Sequence, residues 1–163
     1  MRVRKRFWVP LVLIAFVIGM VFLVAIILED DTLGRSSWFH VERRPAPVAQ
    51  VEEITRDYYA THQYIKGVYD CDDMAKDIWN ILYARGIEAK LVMGNLDMDN
   101  ERLRDSNHMW LLVWSEEGGG WFAVEATNGQ VYCNIQESPY GDQYWHGFSY
   151  DDPLEARRAW ENL

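Results

Sequence analysis

The run from Phe7 to Leu28, FWVPLVLIAFVIGMVFLVAIIL, limits what this chain can become more than any other stretch, because its 22 residues include no charged side chain. As a helix it would rise about 33 Å, which matches a bilayer hydrocarbon core of roughly 30 Å. A core helix of a globular domain keeps a polar face, and this run has none. The sequence therefore assigns residues 7–28 to a transmembrane anchor in contact with the lipid bilayer. Arg2, Arg4, Lys5 and Arg6 precede it, and Glu29, Asp30 and Asp31 follow. The positive-inside rule then makes residues 1–6 a basic cytoplasmic tail and places everything after the anchor outside the cell membrane. A cleavable signal peptide has an apolar region of about 7 to 15 residues and a small-x-small cleavage site. Here the run is longer and ends Ala25-Ile26-Ile27-Leu28, so an uncleaved single-pass anchor is expected.

Charge is divided unevenly around that segment. Of the 163 residues, 16 are Lys or Arg and 25 are Asp or Glu. Four of the basic residues and none of the acids precede Glu29, leaving 12 basic against 25 acidic residues beyond it. So acidic a domain repels phosphate backbones, which excludes nucleic-acid partners. Its field suits a basic or amine-bearing protein or peptide instead, as a matter of encounter rather than specificity. Hydrophobic residues at 49% and aromatics at 14% exceed what a disordered chain carries. The part beyond the anchor suffices for one packed core and falls short of two. Two cysteines are too few for a disulfide scaffold.

Residues 29–47, with Arg43-Arg44-Pro45 and Pro47, read as a linker, since Pro disfavours helix at itself and at the residue before it. Residues 48–163 form the domain. Val48, Val51, Ile54, Tyr58 and Ile65 keep a helical stripe as far as Gly67. A second helix starts at Cys71, carries Met74, Ile78, Ile81 and Leu82 on one face, and stops at Gly86. The period then changes, and strands are expected at 88–93, 108–114, 121–124 and 130–132. The Glu116–Gly120 stretch and Asn128-Gly129 supply reversals, which makes the sheet an antiparallel meander. Residues 134–150 are aromatic without periodicity and read first as surface packing, with a substrate-facing lid as the lesser alternative. Asp152-Pro153-Leu154-Glu155 marks a last helix by its cap, its first-position Pro and its third-position Glu.

Cys71 stands at a helix amino terminus, where unpaired N–H groups favour thiolate over thiol. His108 opens the second strand and Glu125 closes the third, so a hairpin brings them together. Imidazole would take the thiol proton, and the carboxylate would fix the imidazole's tautomer. This is the logic of a Cys-His-acid triad.

Those residues lie in stretches that resemble a known family. Cys71-Asp72-Asp73-Met74-Ala75 followed by Leu82-Tyr83-Ala84-Arg85-Gly86-Ile87-Glu88-Ala89-Lys90 is similar to the Cys-x-Asp-x-Ala and Leu-x-x-x-Gly-Ile-x-Ala-Arg run of transglutaminase-like domains. His108-Met109-Trp110 resembles their His-Ala-Trp, and Trp121 to Thr127 resembles their Trp-x-x-x-Asp-x-Thr. The resemblance covers about residues 67–132. It implies a papain-like α+β core, a helix bearing the cysteine packed on an antiparallel sheet. Cys71 would be the nucleophile, His108 the general base and acid, and Glu125 the orienting group, with no cofactor and no metal required. The implied chemistry is acyl transfer at peptide, isopeptide or glutamine carboxamides through a thioester, by a hydrolase or acyltransferase. Members also include domains that have lost activity, and fold alone does not settle function.

Two departures distinguish this chain from that pattern. Glu125 stands where the family has Asp, and Asp70 and Asp72 flank Cys71, where negative charge opposes a thiolate, although the next acid, Asp73, matches the family pattern. The second departure supports the alternative reading, a catalytically inactive binding or scaffolding domain at the membrane surface. A disulfide between Cys71 and Cys133 would also remove the nucleophile, though a core thiol is the simpler role for Cys133. Zinc held by Cys71, His108, Cys133 and His146 lacks ligand pairs at short spacing. The Asn95, Asp97, Asp99, Asn100 stretch lacks the glycine and the closing glutamate of a calcium loop.

Overall fold

A computed structural model describes residues 42–163. The basic tail expected at 1–6, the anchor expected at 7–28 and most of the expected linker lie outside the described residues. Among the described residues, no helix is long and apolar enough to cross a membrane.

Helix α1 (Val48–Tyr59) buries Val51, Ile54, Thr55 and Tyr58. The apolar stripe suggested a longer helix, but α1 ends eight residues before Gly67. There the Tyr58 carbonyl is claimed by the Thr61 hydroxyl at 3.1 Å and by the His62 N–H at 3.1 Å, and the His62 ring stacks on Tyr58 at 4.2 Å. The chain then reverses in a bridge between Ile65 and Tyr69, turning at Gly67 with φ of 71°. Ile65 keeps the helical phase by accident and is 52% exposed.

Helix α2 (Cys71–Ala84) runs as its pattern predicts, with Met74, Ala75, Ile78, Trp79 and Leu82 buried. Gly86, at φ of 69°, adopts the left-handed conformation that ends helices and that a side chain disfavours. Arg44 and Ala46, within the expected linker, are held beside this turn and the sheet. The Arg44 N–H donates to the Gly86 carbonyl at 2.8 Å, and the Ala46 N–H donates to the Trp114 carbonyl at 3.0 Å.

Five antiparallel strands follow: β1 (Ala89–Gly94), β2 (His108–Ser115), β3 (Gly120–Val124), β4 (Val131–Tyr132) and β5 (Phe148–Tyr150), in spatial order β4-β3-β2-β1-β5. The first four form the expected meander. The fifth was not apparent in the sequence. It lies on the far edge beside β1, with Val92 opposite Ser149, so residues 133–147 must cross the sheet to reach it.

Alternation along the strands gives the sheet two apolar faces. Leu91, Met93, Met109, Leu111, Val113, Phe122 and Val124 share one cluster with the helices. Val92, Trp110, Leu112 and Ala123 pack with Tyr132 and Tyr144 on the other. Each large side chain so buried contributes roughly 1.5–3 kcal/mol, which is why the crossing segment is seated on the sheet. Helix α3 (Pro153–Glu161) closes the described region. Asp152 caps it, its carboxylate accepting from the Leu154 and Glu155 N–H groups at 2.8 Å each.

Candidate active site

Cys71 is the first residue of α2, with Asp70 as its N-cap and Asp73 completing a capping box. The three carboxylates around the thiol are each engaged. Asp73 accepts from the Asp70 N–H at 3.4 Å, Asp72 forms an ion pair with Lys76, and Asp70 accepts from the Gly67 N–H at 3.2 Å. A hydrogen bond between Asp70 and Asp72 raises the Asp70 carboxyl above its ordinary value and lowers that of Asp72. The acids flanking the thiol therefore serve the helix start and Lys76.

His108 is the first residue of β2, opposite Gly94 at the end of β1. Glu125 follows the last residue of β3 and is 4% exposed. Two backbone bonds fix its position: the Glu125 N–H donates to the Gln130 carbonyl and the Gly129 N–H donates to the Glu125 carbonyl, both at 2.9 Å. Gly129 is needed there, since it has φ of 72° and an added Cβ would meet the Tyr59 ring.

The His108 Nε2–H donates to Glu125, lying 3.0 Å from Oε1 and 2.9 Å from Oε2. Cys71 is the ring's other neighbour in the site: both border one cleft, and the Cys71 side chain favours the charged ring. Burial alone would lower the imidazole. The hydrogen bonds to Cys71 and Glu125, with the charge on both, override it and push the ring up to about 9. Burial would likewise raise Glu125, but the His108 bond and charge and two bonds from Thr127 bring it down to about 2. The carboxylate contact thus favours the charged form of the ring.

Two cavities meet at this ring. One, of about 390 Å³, is bordered by Cys71 and His108, with Met93, Met109, Ala156 and Trp160 among its walls. The other, of about 340 Å³, is bordered by His108 and Glu125, with Asp97, Gln130, Tyr140 and Tyr144 among its walls. The first is an open, largely apolar cleft that Cys71 borders, one side of which is α3. That contribution of α3 was not foreseen. Its wall residues lie more than 80 positions from Cys71, and helical spacing does not reveal what a helix docks against.

Residues 134–150 pack on the sheet, the first of the two readings of that segment. The Trp145 indole donates to the Trp121 carbonyl at 3.0 Å, the Trp110 indole donates to the Tyr144 carbonyl at 2.8 Å, and Tyr144 is 1% exposed. Cys133 is a free, half-buried thiol, as Cys71 is, and burial with Glu137 and Glu52 nearby raises it above its ordinary value. Tyr58 and Tyr69 bond each other at 2.6 Å, and Tyr69 donates to Asp77, so both hydroxyls serve the fold. Asn95 and Asn100 stitch their own loop together: the Asn95 N–H donates to Asn100 Oδ1 at 2.6 Å, and Asn100 Nδ2 donates back at 3.1 Å. His146 sits 3.6 Å from Asp142 and is not among the residues lining either cavity.

Compared with known families, residues 46–126 match the profile described as the transglutaminase-like superfamily. No curated protein matches. Among solved structures, the chain is similar to one titled "PSL1a-E64 complex", at 14% identity and a TM-score of 0.45, over 65% of this chain and 37% of that one. The alignment thus spans little more than a third of that structure.

Proposed function

Residues 46–126 belong to the transglutaminase-like superfamily, a papain-like cysteine enzyme family, and from that premise we propose that the chain is a membrane-anchored cysteine enzyme acting on carboxamides. The observation that carries this reading is the His108 ring, bonded through Nε2 to Glu125 and bordering the same cleft as Cys71. With the thiol proton resting on His108, the thiolate sulfur attacks the carboxamide carbon. The resulting oxyanion is met by the Cys71 backbone N–H, which lies in the first helical turn, where N–H groups lack intrahelical partners. The C–N bond then breaks as His108 returns the proton to the departing nitrogen, leaving a thioester on Cys71. In the second half-reaction His108 removes a proton from water or an amine, which attacks the thioester and frees the thiol. Glu125 holds the ring in the required tautomer throughout.

The proposed setting is a single-pass anchor at residues 7–28 with the domain outside the cell membrane, acting on a protein or peptide drawn by the acidic surface. Hydrolysis of peptide or isopeptide bonds is favoured over crosslinking. The test treats the full chain with iodoacetamide, as wild type, Cys71→Ala and Cys133→Ala, and follows ammonia or amine release from glutamine-containing peptides. Labelling and turnover should vanish with Cys71→Ala and survive Cys133→Ala. The reverse pattern would remove the nucleophile from the proposal.

A further inference from the structure

We propose that Tyr144 is the positioning residue of this site: delivered by the segment that crosses the sheet, its hydroxyl fixes Glu125 in the orientation that holds His108. The inference rests on the reading of Cys71, His108 and Glu125 just given and adds a fourth side chain to it. Tyr144 Oη lies 2.7 Å from Glu125 Oε2 and donates to it, since an ionised carboxylate only accepts. Glu125 Oε1 accepts from the Thr127 N–H at 2.8 Å and the Thr127 hydroxyl at 2.7 Å. With the His108 Nε2–H, four donors converge on a group offering about four acceptor sites. Of these donors, Tyr144 alone reaches Oε2 from outside the titrating pair. Without it, Oε2 would keep only the imidazole proton it shares with Oε1, and the carboxylate could turn about its last torsion.

The tyrosine is itself held firmly. It is 1% exposed, its carbonyl accepts from the Trp110 indole at 2.8 Å, and its ring stacks on Tyr132 at 5.2 Å and meets Trp110 edge-on at 5.6 Å. Trp110 also stacks against His108 at 5.9 Å, so one aromatic group braces both the imidazole and the residue that secures its carboxylate. The same arrangement accounts for a glutamate at position 125. The longer side chain extends far enough from the end of β3 to meet a hydroxyl arriving from the opposite layer.

The experiment is a double-mutant cycle on the full chain in a Cys133→Ser background, with Tyr144→Phe, Glu125→Gln and both together. The readout is the second-order rate of Cys71 alkylation by iodoacetamide near neutral pH. Phe preserves the ring packing and removes only the hydroxyl. Tyr144→Phe is expected to slow alkylation about fivefold when Glu125 is present, the size of one net hydrogen bond. In the Glu125→Gln background it should add no further loss, because the anion it orients is gone. Losses that multiply, or an unchanged rate in a folded Tyr144→Phe protein, would overturn the inference. If Tyr144→Phe does not fold, the wild-type proton spectrum decides. A shielded, downfield Tyr144 hydroxyl resonance that moves upfield in Glu125→Gln supports the bond, and a resonance indifferent to that change overturns it. If instead His108→Ala and Glu125→Gln leave alkylation unchanged, it is the underlying thiol–imidazole reading that fails.

Discussion

Replacing Glu125 with Gln tests the electrostatics of the site directly. The amide has nearly the carboxylate's shape but carries no charge, and its NH₂ must face a space where the wild type collects only donors. Moving the imidazole from its ordinary 6.5 to about 9 against its own burial corresponds to roughly 3 kcal/mol in favour of the imidazolium. Cys71 supplies part of that and Glu125 the rest. Loss of a carboxylate in direct contact is expected to lower the ring by about 1–3 pH units. The assay follows the His108 ring nitrogens by NMR between roughly pH 5 and 10, assigned by comparison with His108→Gln, because the chain carries three other histidines, His40, His62 and His146. Retention of a midpoint near 9 in the Glu125→Gln protein would refute the argument, since another group would then have to hold the charge.

The same pair should shape stability. Glu125 is held at about 2, so its contribution is complete above its ordinary 4.5 and is lost as pH falls through 2. His108 is held at about 9, so its contribution is complete below 6.5 and is lost as pH rises through 9. The difference in urea-unfolding free energy between wild type and Glu125→Gln should therefore be greatest between about pH 4.5 and 6.5, and a difference flat across pH would contradict it. Gly147→Ala tests the seating of the crossing segment. Its Cβ would run into Val92 Cγ1 and lie 2.8 Å from the Trp110 ring and 2.9 Å from the Met93 carbonyl. Overpacking of this kind costs about 1–3 kcal/mol, and an unchanged thermal midpoint would show that the segment can lift freely.

The sequence carried the helix starts and the central strands because their causes are local. Asp152-Pro153 caps and begins α3, Gly86 ends α2, and period-two alternation separates Val92, Trp110 and Leu112 from Leu91, Met109 and Leu111. It also brought Cys71, His108 and Glu125 to notice, since each stands at the end of a readable element. What it did not carry depends on distant partners. The stripe through Ile65 overran α1 because the bonds that end the helix come from Thr61 and His62, which periodicity ignores. Strand β5 and the role of Tyr144 stayed hidden because residues 133–150 are shaped by the sheet face beneath them. An aromatic residue 19 positions beyond Glu125 announces bulk in the sequence, but its hydrogen bond exists only once the chain has crossed the sheet.

That crossing also sets an order of assembly. The three side chains proposed to react all precede residue 126, whereas the hydroxyl that steadies the carboxylate arrives at 144 and the cleft wall at 156–160. A chain emerging amino terminus first thus holds its reactive groups before it holds their brace and enclosure. The brace and the enclosure proposed for the site thus come from the part of the chain that follows it.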